Sequence, residues 1–103
     1  MTEIKDKRIR FTKNIAKLIL WIIGQGCQVV FDKDGQAHMK RSLHYEGLAK
    51  DLLIYDRDGK YMKKSEDYAF AGSYWKSLDP ENCWGGDFPG DGNHFSITYQ
   101  GRK

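Results

Sequence analysis

Apolar residues recur at Ile15, Leu18, Ile19 and Ile22, the i, i+3, i+4, i+7 spacing of one helix face. This spacing predicts a helix over residues 11–23, with Thr12 as its N-cap and Gly24 and Gly26 supplying the stop. Leu20, Trp21 and Ile23 widen the apolar arc, as suits a helix buried in a small core better than an amphipathic membrane anchor. The next run, CQVVF at 27–31, is short and β-branched and ends in the turn-like DKDG, so a strand is predicted there. Residues 36–46 show no clean period. A second strand is expected over 47–55, and DRDG at 56–59 turns it back into a short strand, KYM, at 60–62. Ser65 is placed to cap a helix running to Leu78, with Glu66 and Asp67 at its positive end. Tyr68, Ala71, Tyr74, Trp75 and Leu78 lie along one face of it, and Pro80 closes the segment. CWGGDFPGDGNHF, at 83–95, has five glycines or prolines in thirteen residues and reads as a shaped loop. HFSITYQ, at 94–100, alternates and is the last strand. The order α, β, β, β, α, β predicts an α+β domain with a small, mostly antiparallel sheet and two main helices.

Length and composition narrow this picture. At 103 residues the chain is expected to form one domain, 1–103, and its 40% apolar and 14% aromatic content supports a packed core. The net charge is +3, and Lys5, Lys7, Arg8, Arg10 and Lys13 against Glu3 and Asp6 supply most of it. Residues 1–10 are therefore expected to be a basic, flexible, solvated end that at most helps approach an anionic surface. No nucleic-acid-reading signature accompanies the charge, so no nucleic-acid partner is expected, and a monomer is. Cys27 and Cys83 have no CxxC spacing and leave two options open, one bridge or two buried thiols. The run LILWII at 18–23 is too short to span a membrane and lacks a cleavage site, so no transmembrane segment or export signal is expected.

Candidate chemistry starts from Asp51. It sits where a half-buried strand begins, seven residues after His44, and a buried carboxylate is costly unless paired or bound to a metal. Of the three histidines, His38, His44 and His94, the last closes D-G-N-H, with Asp91 three residues before it. A catalytic zinc takes three protein ligands from imidazole and carboxylate and keeps one position for water. On one continuous strand, His44 and Asp51 would point to opposite faces; Gly47 gives the chain a place to turn or bulge so that they converge. His94 would add a third ligand, with Asp91 near enough to act as a base.

S-L-H-Y-E-G-L-A-K-D at 42–51 resembles the S-x-H-x-x-G-x-A-x-D motif of the zinc D-Ala-D-Ala carboxypeptidases and L-Ala-D-Glu endopeptidases that cut bacterial peptidoglycan. W-G-G-D-F followed by D-G-N-H-F is similar to the second motif of that family, and the likeness, closest to compact bacteriophage endolysins, covers about residues 42–99. The resemblance implies a hedgehog/DD-peptidase-like fold, zinc (Zn2+) held by His44, Asp51 and His94, and Asp91 as the general base. It further implies that Ser42 orients a ligand and that Trp84, Gly85 and Gly86 shape the wall of the cleft. The implied substrate is the peptidoglycan stem peptide. The enzyme would stay in the host cytoplasm until released to the cell wall.

The chain departs from the family in two places. Relatives carry an arginine upstream of the first histidine to hold a substrate carboxylate; here Arg41, His38 or Lys40 would have to serve. Many also carry an acid two residues after the last histidine, where this chain has Ser96. With no clear carboxylate clamp, an L-Ala–D-Glu endopeptidase is favoured. A D-Ala-D-Ala carboxypeptidase and a non-catalytic zinc-binding module are the alternatives.

Overall fold

The computed structural model describes residues 3–32, 43–44, 46–88 and 90–103. His38, Lys40, Arg41 and Ser42, each given a role above, lie outside the described residues.

The first helix, α1 (Glu3–Gly24), starts eight residues earlier than its apolar stripe predicts. Lys7, Phe11, Asn14, Ile15, Leu18 and Ile22 are buried along it, so the core-facing stripe extends through the basic stretch. The expectation of a loose basic end is corrected by what these cations touch. Lys7, only 6% exposed, donates to Glu81 and to the main-chain oxygen of Thr98. Arg10 forks onto Asp79, with its closest contacts at 2.8 Å, and Arg8 Nε donates to the main-chain oxygen of Glu46 at 2.7 Å. Thr12 is no N-cap: it lies mid-helix, and its hydroxyl donates back to the Arg8 carbonyl.

Among the described residues, four strands follow the order β1-β2-β4-β3, every neighbour antiparallel. They are β1 (Gln28–Phe31), β2 (Ala49–Tyr55), β3 (Asn82–Trp84) and β4 (His94–Ile97). β2 is shared lengthwise: Leu52 to Tyr55 pair with β1, while Ala49 to Asp51 pair with β4. Beyond the end of β4, the Ile54 N–H is taken by the hydroxyl of buried Tyr68, whose pKa burial pushes up to about 12. The KYM strand reduces to a single bridge between Tyr55 and Tyr61. β3 forms inside the stretch read as a loop, so the third strand follows the second helix rather than preceding it.

That second helical segment opens with a 3-10 turn, Ser65–Tyr68, and continues as α2 (Ala69–Leu78). Lys64, not Ser65, is the cap residue, and its N–H donates to Asp67. Trp75 of α2 is fully buried, edge-on to Phe11 and Phe95. Its indole N–H is shared between the carbonyls of Cys83 and Ser96, tying α2 to β3 and β4. Truncating such a residue to alanine costs about 3–5 kcal/mol. Cys27 and Cys83 are both free thiols. No helix among the described residues is long and apolar enough to cross a membrane.

The outcome is an α+β fold with two main helices and a small antiparallel sheet, as the patterning predicts.

Candidate metal centre

Register brings the first two site residues together. Asp51 on β2 is the direct cross-strand partner of His94 on β4. The Leu52 N–H donates to the Asn93 carbonyl at 2.9 Å, which makes Asp51 and His94 a non-hydrogen-bonded pair. In such pairs the side chains approach most closely. Strand alternation turns Phe95 and Ile97 to the core, both 0% exposed, and His94 to the opposite face. Asp51 is thus spared the apolar core; a quarter of its side chain, 23%, reaches solvent.

His44 arrives by a different device. It sits on a single turn that ends as many helices do: Leu48 N–H donates to the Leu43 carbonyl at 2.9 Å, and Gly47 N–H to His44 at 3.2 Å. Gly47 takes φ +72°, the left-handed conformation this closure needs. Leu43 and Leu48, both buried, fasten the turn to the core. Reversing the chain between His44 and Asp51 removes the opposite-face problem of a continuous strand. The turn foreseen at Gly47 is there.

His44 Nε2 lies 3.4 Å and His94 Nδ1 3.3 Å from the same oxygen, Asp51 Oδ1. One donor atom from each of the three residues lies within 4.8 Å of the others. For metal–ligand bonds of about 2.0–2.1 Å, adjacent ligands of a tetrahedral ion stand about 3.3–3.4 Å apart. Two edges of the triangle have that length, which is long for a hydrogen bond. Two imidazoles and a carboxylate, with their donor atoms converging, form a group that could bind a metal ion.

The electrostatics agree. Burial alone would raise the Asp51 carboxyl, but hydrogen bonds to His44 and His94, and their charge, hold it well below the usual carboxylate range. Burial pushes His94 the other way, down. The bonds to Asp51 and to the Lys103 main-chain oxygen, with the charges of Asp51 and Asp91, outweigh it and raise its pKa. Both shifts describe a site that attracts positive charge, a proton in the free protein or a cation in its place.

Asp91 is exposed, and its carboxylate is close enough to His94 to act on it electrostatically. Its main-chain oxygen accepts the His94 N–H at 3.1 Å, so base candidate and ligand share one turn. Gly85 makes room for that turn: a Cβ there would stand 2.1 Å from the Asp91 carbonyl oxygen. Trp84 is 8% exposed, and its indole N–H donates to the Gly92 carbonyl at 2.6 Å. Its rim borders a shallow groove with Lys64, Ser65, Glu66, Ala69 and Gly86. Trp84 therefore braces the Asp91 turn as well as facing a groove.

One contact to the site has no signature in residue type. The main-chain oxygen of Lys103 accepts from His94 Nε2 at 3.0 Å. Only the turn-forming pair Gln100–Gly101 hints at it in sequence.

No family model matches the chain, and no curated protein matches it either.

Proposed function

We propose that the protein is a zinc peptidase that hydrolyses an amide bond of the peptidoglycan stem peptide, the L-Ala–D-Glu bond by preference, as a phage lysis enzyme does. The observation that carries this reading is the convergence of His44 Nε2, Asp51 Oδ1 and His94 Nδ1, with Asp91 on the same turn as His94. The two sequence motifs meet at that point although Asp51 and His94 are 43 residues apart.

The donor set suits zinc, which takes imidazole nitrogen and carboxylate oxygen and, in catalytic sites, three protein ligands. Bound zinc supplies a Lewis acid, lowering the pKa of a water toward about 7 and polarising a carbonyl. The rest of the chemistry belongs to the chain. Asp51 balances the cation's charge and aligns both imidazoles. Asp91, exposed and ionisable beside His94, takes a proton from the attacking water and returns it to the leaving amine. Trp84 and Gly85 hold the turn that sets where Asp91 stands.

The test is digestion of purified peptidoglycan by zinc-loaded protein, with mass spectrometry of the fragments, beside Asp91→Asn and a chelated control. The expected result is release of L-Ala from the stem. Asp91→Asn should keep one zinc and lose about 10²–10⁴-fold in rate. Loss of terminal D-Ala instead would keep the mechanism and move the substrate to that of a carboxypeptidase. A protein that holds zinc and cleaves nothing would be a binding module, not an enzyme.

A further inference from the structure

β4 places His94 and Ser96 on one face, opposite Asp51 and Ala49 of β2. The chain then doubles back. Tyr99 and Arg102 exchange main-chain hydrogen bonds of 3.1 and 3.0 Å, around Gln100 and Gly101 at φ 51° and 76°. Two consecutive positive φ values make a tight hairpin turn. The turn delivers the main-chain oxygen of Lys103 to the site, where it accepts from His94 Nε2 at 3.0 Å and from Ser96 Oγ at 2.9 Å. Ser96 is fully buried. Arg102 lies over the Tyr99 ring and Lys103 Nζ over that of Phe88, holding the returning segment down.

The consequence is chemical. The Lys103 main-chain oxygen and Asp51 Oδ1 are both acceptors, so the metal-free ring meets one at each nitrogen; with a metal in place of the proton on Nδ1, the ring's remaining proton is Nε2–H, facing Lys103. The Nδ1 lone pair, on the nitrogen that stands 3.3 Å from Asp51, is then the one offered to the metal. A hydrogen bond on the far nitrogen is the usual means of fixing the tautomer and aim of a histidine that ligates a metal. We propose that the return turn at 99–102 and Ser96 form a positioning device: together they preset His94 as an Nδ1 ligand and so determine how tightly the centre holds its metal. Many members of the resembling family carry an acid at the Ser96 position; in this chain a hydroxyl anchors a main-chain oxygen there instead. The role presupposes the metal-binding reading above.

The experiment compares full-length wild type, Gly101→Val, Ser96→Ala and Gly59→Val. A Cβ at Gly101 or Gly59 meets nothing within 4 Å, and both glycines have positive φ (+76° and +81°). Valine therefore strains either turn through the backbone alone, and Gly59→Val controls for that strain away from the centre. Zinc affinity is read by competition with a chromophoric chelator. The proton on His94 Nε2 of the zinc-loaded protein is followed by ¹⁵N–¹H correlation of the ring and by its exchange with solvent. Expected are a slowly exchanging Nε2–H in wild type, faster exchange with a loss of about 10–100-fold in zinc affinity for Gly101→Val, and a smaller loss for Ser96→Ala. Gly59→Val should match wild type in both. Folded Gly101→Val and Ser96→Ala proteins with wild-type Nε2–H exchange and affinity would overturn the positioning role alone. A wild type that takes up no zinc would overturn the metal reading, and this role with it.

Discussion

Two regions of the molecule hold carboxylates below their ordinary pKa, and they do so by opposite means. Where α2 meets β3, Asp79 and Glu81 face Arg10 and Lys7, with nitrogen–oxygen contacts of 2.8–3.1 Å. Between β2 and β4, Asp51 faces two imidazoles at 3.3 and 3.4 Å. The partners in the first cluster are a guanidinium, whose pKa the pairing raises further, and an ammonium, so that cluster is complete with atoms of the chain. In the second, the counter-charge on His94 comes and goes with a proton. A depressed carboxylate pKa is common to both and tells neither from the other. The identity of the partner does: permanent cations make a structural clamp, and imidazoles leave a place for a cation from outside.

The largest effect that would break this contrast is on metal affinity. Asp51→Asn keeps the shape of the side chain and removes its charge. Zinc affinity, measured by chelator competition, should fall by at least about 100-fold, since even outer-shell partners of a metal site are worth 10–100-fold. Asp79→Asn should leave zinc affinity unchanged. Equal losses in the two variants would mean that general field, not ligation, governs uptake of the ion.

Stability should respond in the reverse order. Asp79 accepts both arms of Arg10 and the Glu81 N–H, and its side chain is 11% exposed. Asp79→Ala leaves the Glu81 amide without its acceptor and takes from Arg10 its fork partner, though Arg10 keeps Glu81 at 2.9 Å, a loss of about 2 kcal/mol in zinc-free urea unfolding. In a chain this short, that is about 8–16 °C in melting temperature. A shift below 2 °C would demote the cluster to a surface ion pair, worth roughly 0–1 kcal/mol.

The same contrast explains what could be read from sequence. The stripe Ile15, Leu18, Ile22 announces α1, because helix burial repeats locally and needs no distant partner. The basic residues ahead of it gave no such sign: Lys7 and Arg10 meet Glu81 and Asp79 from 74 and 69 positions away. Charged residues with unseen partners look like a solvated end. β3 was hidden for a related reason. Asn82–Trp84 has three residues and stands beside a glycine-rich run, and only pairing with β4 makes it a strand. The grouping of His44, Asp51 and His94 could be read ahead, since ligand chemistry restricts residue types and Gly47 supplied the turn that brings His44 back. The Lys103 oxygen left no trace in sequence beyond the turn-forming pair Gln100–Gly101, because every residue offers a main-chain oxygen.

The smallest expected effect is the most direct probe of the contrast, because it needs no change at the clamp. In the zinc-free protein the His94 pKa is raised above its ordinary 6.5, and the Asp51 pKa is lowered below its ordinary 3.8. The raised group stabilises the fold in full below pH 6.5, and that contribution is lost as pH climbs through the folded-state value. The lowered group stabilises above pH 3.8 and loses its contribution only as pH falls through the folded value. Their pairing is therefore at full strength between roughly pH 4 and 6.5 and fades as pH climbs through the raised His94 value. Asp79 differs. Burial raises it, but the Glu81 amide and Arg10 lower it on balance, and its guanidinium partner never titrates in this range. The deficit of zinc-free Asp51→Asn relative to wild type should thus shrink between about pH 6 and pH 8.5, by about 1 kcal/mol or less, the scale of a partly exposed ion pair. The Asp79→Ala deficit should stay constant. Adding zinc should reverse the trend at the centre alone, since the metal takes the lone pair that the proton held: the zinc-induced rise in melting temperature should grow with pH over the same range. A zinc-induced rise that is flat across the range would mean that His94 gives up no proton when the metal binds, and so is not a ligand.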